Sequence, residues 1–560
     1  MNVQDKEQFW HTFLTRTIWI SSVFVVLVFV FFAANYLQLK SSDPLNSPAL
    51  EKLYQDLDQN PNNAELREQI RSLDLLARKA YFTKQWQINT GGALLFIGVI
   101  VLVFSIKTRQ TLRKKLVEEA VPLQDTWEGR LLARKWLGLS GVILVSVTIL
   151  LALITKREME TASFVVREAK SVKAPDTKEV INNWPSFRGP YGHGQAAKAD
   201  IPTTWNGESG ENILWQVPVP KPGFNSPIVW DDLLFISGAD KTSQEVYCYR
   251  TDSGQLLWTA LVSNVPGSPA NPPNVSQDTG YAAPTMATNG NDVFAIFATG
   301  DLVCLDLQGQ QVWAKNLGEP DNHYGHSSSL IMYENMLLVQ YDNSQDAYVT
   351  ALNAADGSTI WKTPRDMGLS WSSPILAKVG KQWELILDAT PNVVAYDVET
   401  GAELWRVDCL SGEVAPSPAY ADGIVYAVND LAVLAAIKPG DVPEILWEYE
   451  DDLPDVPSPL AIENYLILPS SWGVLTCLRA ETGEVVWTQE FDDGFYSSPV
   501  LAGKYILAVD MEGVTQVIEP GDEFNLVSSN PLGEKVVTTP AIKDDRVYIR
   551  GENNLYCIGK

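Results

Sequence analysis

The strongest constraint in this 560-residue chain is a repeat. From residue 184 onward the sequence is self-similar, with a period of 40–57 residues. Three columns carry it. The first is a Ser-Pro-like dipeptide opening a β-rich run. It falls at Ser226-Pro227, Ala283-Pro284, Ser328-Ser329, Ser373-Pro374, Ser417-Pro418, Ser458-Pro459, Ser498-Pro499 and Thr539-Pro540. The second is a small residue in a later strand, just before a turn: Cys248, Cys304, Ala351, Ala395, Ala436, Cys477, Val517 and Cys557. The third is a Trp that closes the turn: Trp258, Trp313, Trp361, Trp405, Trp447 and Trp487. Five of these follow a Gly by four residues, as Trp405 follows Gly401. A Gly suits a tight turn, and a Trp offers a flat apolar face to a neighbouring sheet.

Each unit holds about four short strands with hairpin turns. Four strands in a period near 40–50 residues are the pattern of a β-propeller blade. Eight dipeptides predict an all-β, eight-bladed propeller over residues 184–560. The last copy stops at Lys560, directly after its third strand. Trp215, in Asn212-Ile213-Leu214-Trp215-Gln216-Val217, precedes the first unit. Its strand is predicted to complete the last blade and close the ring. The seventh unit has no Trp in this column.

The repeat resembles the pyrroloquinoline-quinone-like (PQQ-like) propeller repeat over about two thirds of the chain. Its strand-turn-strand signature matches Ala395-Tyr396-Asp397-Val398-Glu399-Thr400-Gly401 with Trp405, and Cys477-Leu478-Arg479-Ala480-Glu481-Thr482-Gly483 with Trp487. The leading segment Trp184-Pro185-Ser186-Phe187-Arg188-Gly189-Pro190 is similar to the leader of bacterial propellers of this type. The resemblance implies one of two functions. One is a non-catalytic binding or scaffolding propeller, like the BamB-like subunit of the outer-membrane barrel-assembly machinery. The other is a quinoprotein dehydrogenase that oxidises alcohols or sugars with PQQ and calcium. Fold alone does not choose between them.

Ahead of the repeats lie three uncharged apolar stretches, Thr17–Leu39, Gln85–Ile106 and Trp136–Thr155. Each is long enough to cross a hydrocarbon core of about 30 Å as a helix. The first has the length of an anchor, with no clear cleavage site after Phe32-Ala33-Ala34. Lys107, Arg109, Arg113, Lys114, Lys115, Arg130, Arg134 and Lys135 fill the loop between the second and third stretches. Such a basic loop marks the cytoplasmic side. The predicted order is a cytoplasmic leader (1–16), a first span (17–39) and an external helical hairpin (40–84). A second span (85–106), a basic cytoplasmic loop (107–135), a third span (136–155) and a linker (156–183) precede the propeller. The propeller is then extracytoplasmic, periplasmic in a bacterium, on a multi-pass inner-membrane anchor. The barrel-assembly subunit is normally a lipoprotein, and this chain has no lipobox cysteine near its N-terminus. Membrane-bound quinoprotein dehydrogenases do place helical spans before a propeller, usually five.

Charge is divided between the two parts. Residues 1–183 carry a net +5 and residues 184–560 a net −31. The propeller is a poor partner for nucleic acid and suits a basic protein or cationic ligand. Four of the five cysteines sit in the small-residue column, and Cys409 has no obvious mate, so no structural disulfide is predicted. There is no Cys-x-x-Cys-His, no zinc-type spacing, no Gly-x-Ser-x-Gly and no phosphate-binding loop. Nor is there the adjacent Cys-Cys pair of quinoprotein alcohol dehydrogenases. His323 and His326 share one loop but lack a third ligand, so no metal site is predicted.

The best site candidate is again a column. Two residues before each dipeptide stand Phe224, Tyr281, His326, Trp371, Ala415, Val456, Tyr496 and Val537. The first strand of a blade lines a propeller's central channel. These side chains are therefore expected to ring one mouth, with an aromatic arc on one side. Asn225, Asp342 and Arg365 would add polar contacts, and His323 would lie in the same loop as His326. A flat ligand or a peptide fits such a surface.

Overall fold

The computed structural model describes residues 10, 13–25, 101, 102, 104–109 and 174–560, less 197, 319, 323 and 431. The chain divides into two units, Met1–Phe164 and Val165–Lys560. In the first, residues 13–25 and 104–109 are helical. No helix among the described residues is long and apolar enough to cross a membrane. The apolar stretches 17–39, 85–106 and 136–155 fall largely or wholly outside those residues. So do the 40–84 hairpin and most of the 107–135 loop.

In the second unit the strands form eight separate sheets, seven of four strands and one of five. Seven of the blades run in sequence order from inner to outer strand, and the eighth takes its outer strand from ahead of the first blade. The fourth is typical: Ile375–Val379, Gln382–Ala389, Asn392–Asp397 and Glu403–Asp408. Its second and third strands are almost wholly buried, since a blade lies against each face. The outer strand alternates exposed and buried, because its blade edge meets solvent.

The small-residue and Trp columns face each other across the third and outer strands. Cys248 pairs with Trp258, Cys304 with Trp313, Ala351 with Trp361 and Ala395 with Trp405. Ala436 pairs with Trp447 and Cys477 with Trp487. A register shift follows each pair, which turns the Trp onto the next blade. There the indole Nε1–H donates to a backbone carbonyl: Trp258 to Leu307, Trp313 to Ala354, Trp361 to Val398. The turn glycine of the next blade lies directly on the ring. A Cβ at Gly401, with φ +71°, would stand 2.4 Å from the Trp361 ring. Trp405 and Trp487 are the exceptions. The next blade has Pro443 or Phe524 in place of the glycine; Trp405 donates to Glu384 at 2.7 Å, and Trp487 packs edge-on with Phe524, their centroids 5.2 Å apart.

Ring closure is as the sequence predicts. Strand Ile213–Pro218 pairs with Asn554–Ile558, and Trp215 sits opposite Cys557. In the seventh blade Ser528 stands opposite Val517, where the others have Trp. Buried Trp205 fills the gap from outside the repeat. It packs into the core cluster shared by blades seven, eight and one. The five cysteines are all unpaired, four of them buried in separate blades.

One element is not visible in the repeat pattern. The lead-in segment from Trp184 to Ala196 crosses one end of the channel. Trp184 bridges Val229 in the first blade, and the Pro185 carbonyl accepts from Thr288 N–H in the second. Arg188 donates to the carbonyls of Pro418 and Pro459 in blades five and six. His193 Nε2–H donates to the Leu376 carbonyl in the fourth. Strand Gln195–Ala196 pairs in parallel with Val500–Ala502, making the seventh blade five-stranded. Tyr191 packs on the cluster between blades three and four.

Candidate functional site

The channel is built from the first residues of each inner strand. Backbone N–H groups there donate to hydroxyls of the next blade. Ser226 N–H donates to Thr285, Thr285 to Ser329, Ser329 to Ser373 and Ser373 to Ser417. Ser417 donates to Ser458, Ser458 to Ser498, Ser498 to Thr539, and Thr539 back to Ser226. The eight bonds, 2.8–3.1 Å long, form a closed ring. Serine or threonine is needed because only a short hydroxyl reaches the neighbouring amide while leaving the channel open.

This ring corrects the dipeptide column in two blades. The second blade's member is Thr285, not Ala283, and the third blade's is Ser329, not Ser328. Their next residues are Met286 and Leu330 in place of proline. The mouth column shifts with them to Phe224, Ala283, Ser327, Trp371, Ala415, Val456, Tyr496 and Val537, all lining one cavity of about 640 Å³.

Tyr281 and His326 therefore leave the mouth. Tyr281 donates to the Pro273 carbonyl and packs in the core between blades one and two. His326 is buried and stacks on Tyr341 at 4.9 Å. Burial pushes its imidazole down to about 4. The polar candidates are also framework. Asn225 accepts from buried Arg550 at 2.7 Å and holds the Ser237 backbone in both directions. Arg365 donates to Asp342 at 2.8 Å with both side chains wholly buried, and to the Tyr396 hydroxyl. His323 lies outside the described residues.

The cavity thus gathers Phe224, Trp371 and Tyr496 of the proposed set, together with groups the column reasoning missed. Tyr324 packs edge-on against Trp371, their centroids 4.3 Å apart. Asp278, Glu413, Asp430 and Asp455 stand around the mouth, on loops with no periodicity to betray them. Asp455 is fixed by the amide and hydroxyl of Ser471. Burial, and then the nearby Asp455 and Asp278, raise the Tyr496 phenol above its ordinary value. Phe187 of the lead-in segment also lines the cavity. That segment bonds Val229, Leu376, Ala461 and Leu501, all past the hydroxyl ring. The site is a blind funnel, with an aromatic and acidic mouth, a hydroxyl waist and a floor from the lead-in segment.

Comparison with known proteins places the chain. The family profile described as Outer membrane protein assembly factor BamB matches residues 200–335, 345–471 and 459–523. The chain belongs to this BamB family. BamB of Salmonella typhimurium is 26% identical over 270 residues, 45% of this chain and 67% of the relative. BamB of Yersinia pestis is 24% identical over 285 residues, 47% of this chain and 70% of the relative. Among solved structures, quinohemoprotein alcohol dehydrogenase from Comamonas testosteroni superposes with a TM-score of 0.52 at 12% identity. That match covers 68% of this chain and 80% of the enzyme, and it shares the fold alone.

The lining decides how well a quinone cofactor fits. PQQ is a tricarboxylate, which a site holds with basic side chains or a bridging cation. Among the described residues, no Lys, Arg or His lines this BamB-family funnel. Nor do three His, Cys, Asp or Glu side chains among them come together to share a metal ion. The residues present do not fit PQQ.

Proposed function

We propose that this chain is a membrane-anchored scaffold whose propeller binds a protein partner on the periplasmic side of the inner membrane. Family membership supports a binding propeller. The three apolar stretches and the basic residues 107–135 support the anchor and its orientation. The observation that carries binding over catalysis is the funnel lining. Its hydroxyls accept backbone amides, its mouth is acidic, and no Lys, Arg or His among the described residues lines it. The scaffold reading differs from the lipoprotein arrangement of a barrel-assembly subunit in the way it is held to the membrane.

The reading is tested on the full-length chain. Alkaline phosphatase fused after residues 60 and 170 is expected to be active, and fused after 120 inactive; activity at 120 would overturn the orientation. In-cell crosslinking followed by purification is expected to recover a protein partner. Stoichiometric PQQ binding in the presence of calcium, with dye-linked oxidation of alcohols or sugars, would replace the scaffold with an enzyme.

A further inference from the structure

We infer that the funnel is a receptor for a basic loop tip, a Lys- or Arg-bearing turn of a partner polypeptide that stops against the hydroxyl ring. This rests on the proposed scaffold role and names the chemistry of its partner. Four observations converge. Asp278, Glu413, Asp430 and Asp455 line the mouth, and no Lys, Arg or His among the described residues lines it. Low-dielectric walls around such a mouth focus its field on an incoming cation. Phe224, Tyr324, Trp371 and Tyr496 line the same cavity. Ammonium and guanidinium groups bind such rings, Trp best.

The waist adds an independent demand. Its eight Ser and Thr residues are only 2–6% exposed, and each hydroxyl oxygen already accepts one amide. None of the eight O–H groups has a protein acceptor among the described residues. An occupant that reaches them has to bring acceptors. A polyamine or a metal ion brings none, whereas a peptide turn brings carbonyl oxygens. The floor supplies the fourth observation. With Phe187 and the lead-in segment beneath the ring, a chain cannot thread through. A turn that enters and leaves by one mouth can occupy the 640 Å³ available.

The test uses the full-length purified chain and fluorescein-labelled cyclic peptides displaying Gly-Lys-Gly-Arg or Gly-Glu-Gly-Glu. The basic peptide is expected to bind and to weaken as salt rises from about 0.05 to 0.3 M. Trp371→Ala is expected to weaken it about tenfold. The paired change Asp278→Asn with Glu413→Gln, at two exposed positions, is expected to weaken it about fivefold with the thermal midpoint unchanged. Equal binding of both peptides, or binding unchanged in both variants, would overturn the inference. So would spermidine binding as tightly as the basic peptide. If crosslinking recovers a partner while the basic peptide fails, this inference alone falls. If both fail, the scaffold reading falls with it.

Discussion

Two imidazoles in the propeller are held uncharged by burial. His193 gives its Nε2–H to the Leu376 carbonyl, and His326 lies against Tyr341. Burial lowers both to about 4. The unfolded chain takes up these protons near 6.5, and the folded chain only near 4. Between those values the unfolded state binds more protons, so each histidine costs stability as pH falls, by about 1.4 kcal/mol per unit. His326→Gln removes one of them. Its stability relative to the parent should rise by about 2 kcal/mol between pH 7 and pH 5. Chemical denaturation of both proteins at the two pH values measures this. No relative gain would mean that His326 is charged in the fold.

At the scale of elements, the blades are joined by Trp rings seated on the turn glycines of their neighbours. Gly401→Ala forces a side chain both into left-handed backbone and against Trp361. It should cost roughly 2–4 kcal/mol. Gly423 has a similar φ, +84°, and nothing within 4 Å, so Gly423→Ala should cost only about 1 kcal/mol. Comparing the two urea midpoints separates packing from backbone strain. Equal losses would show that the Trp seat adds nothing.

These interlocked columns are why blade count and closure were legible in the sequence. A Trp and its cross-strand Cys or Ala stay 9–11 residues apart around a short turn. The inner column had no such clamp. In blades two and three the proline is replaced by Met286 and Leu330, and the preceding loops are long. What stays constant there is a hydroxyl that meets the next blade, and without its proline neither Thr285 nor Ser329 stands out from the Ser and Thr around it. The mouth carboxylates were hidden for the same reason. Asn225 and Arg365 were misread as lining because their buried partners, Arg550 and Asp342, lie 325 and 23 residues away.

For the whole molecule, closure rests on one antiparallel pair drawn from the two ends of the repeat region. Removing Asn554–Lys560 takes away the strand that holds Ile213–Pro218. Trp215 then loses Cys557, and the last blade keeps two of its four strands. The truncated chain should lose the parent's cooperative thermal transition and become open to trypsin near Lys221. Retention of that transition would show that the lead-in segment closes the ring by itself.

The same pair sets a delay during synthesis. Gln216 waits for Tyr556, 340 residues later. At about 5–20 residues per second, the strand bearing Leu214 and Trp215 stays without its partner for roughly 20–70 s. An unpaired apolar edge is a template for pairing with another chain. A nascent copy of this protein is therefore most exposed to its neighbours on the ribosome in the interval before Asn554–Ile558 appears.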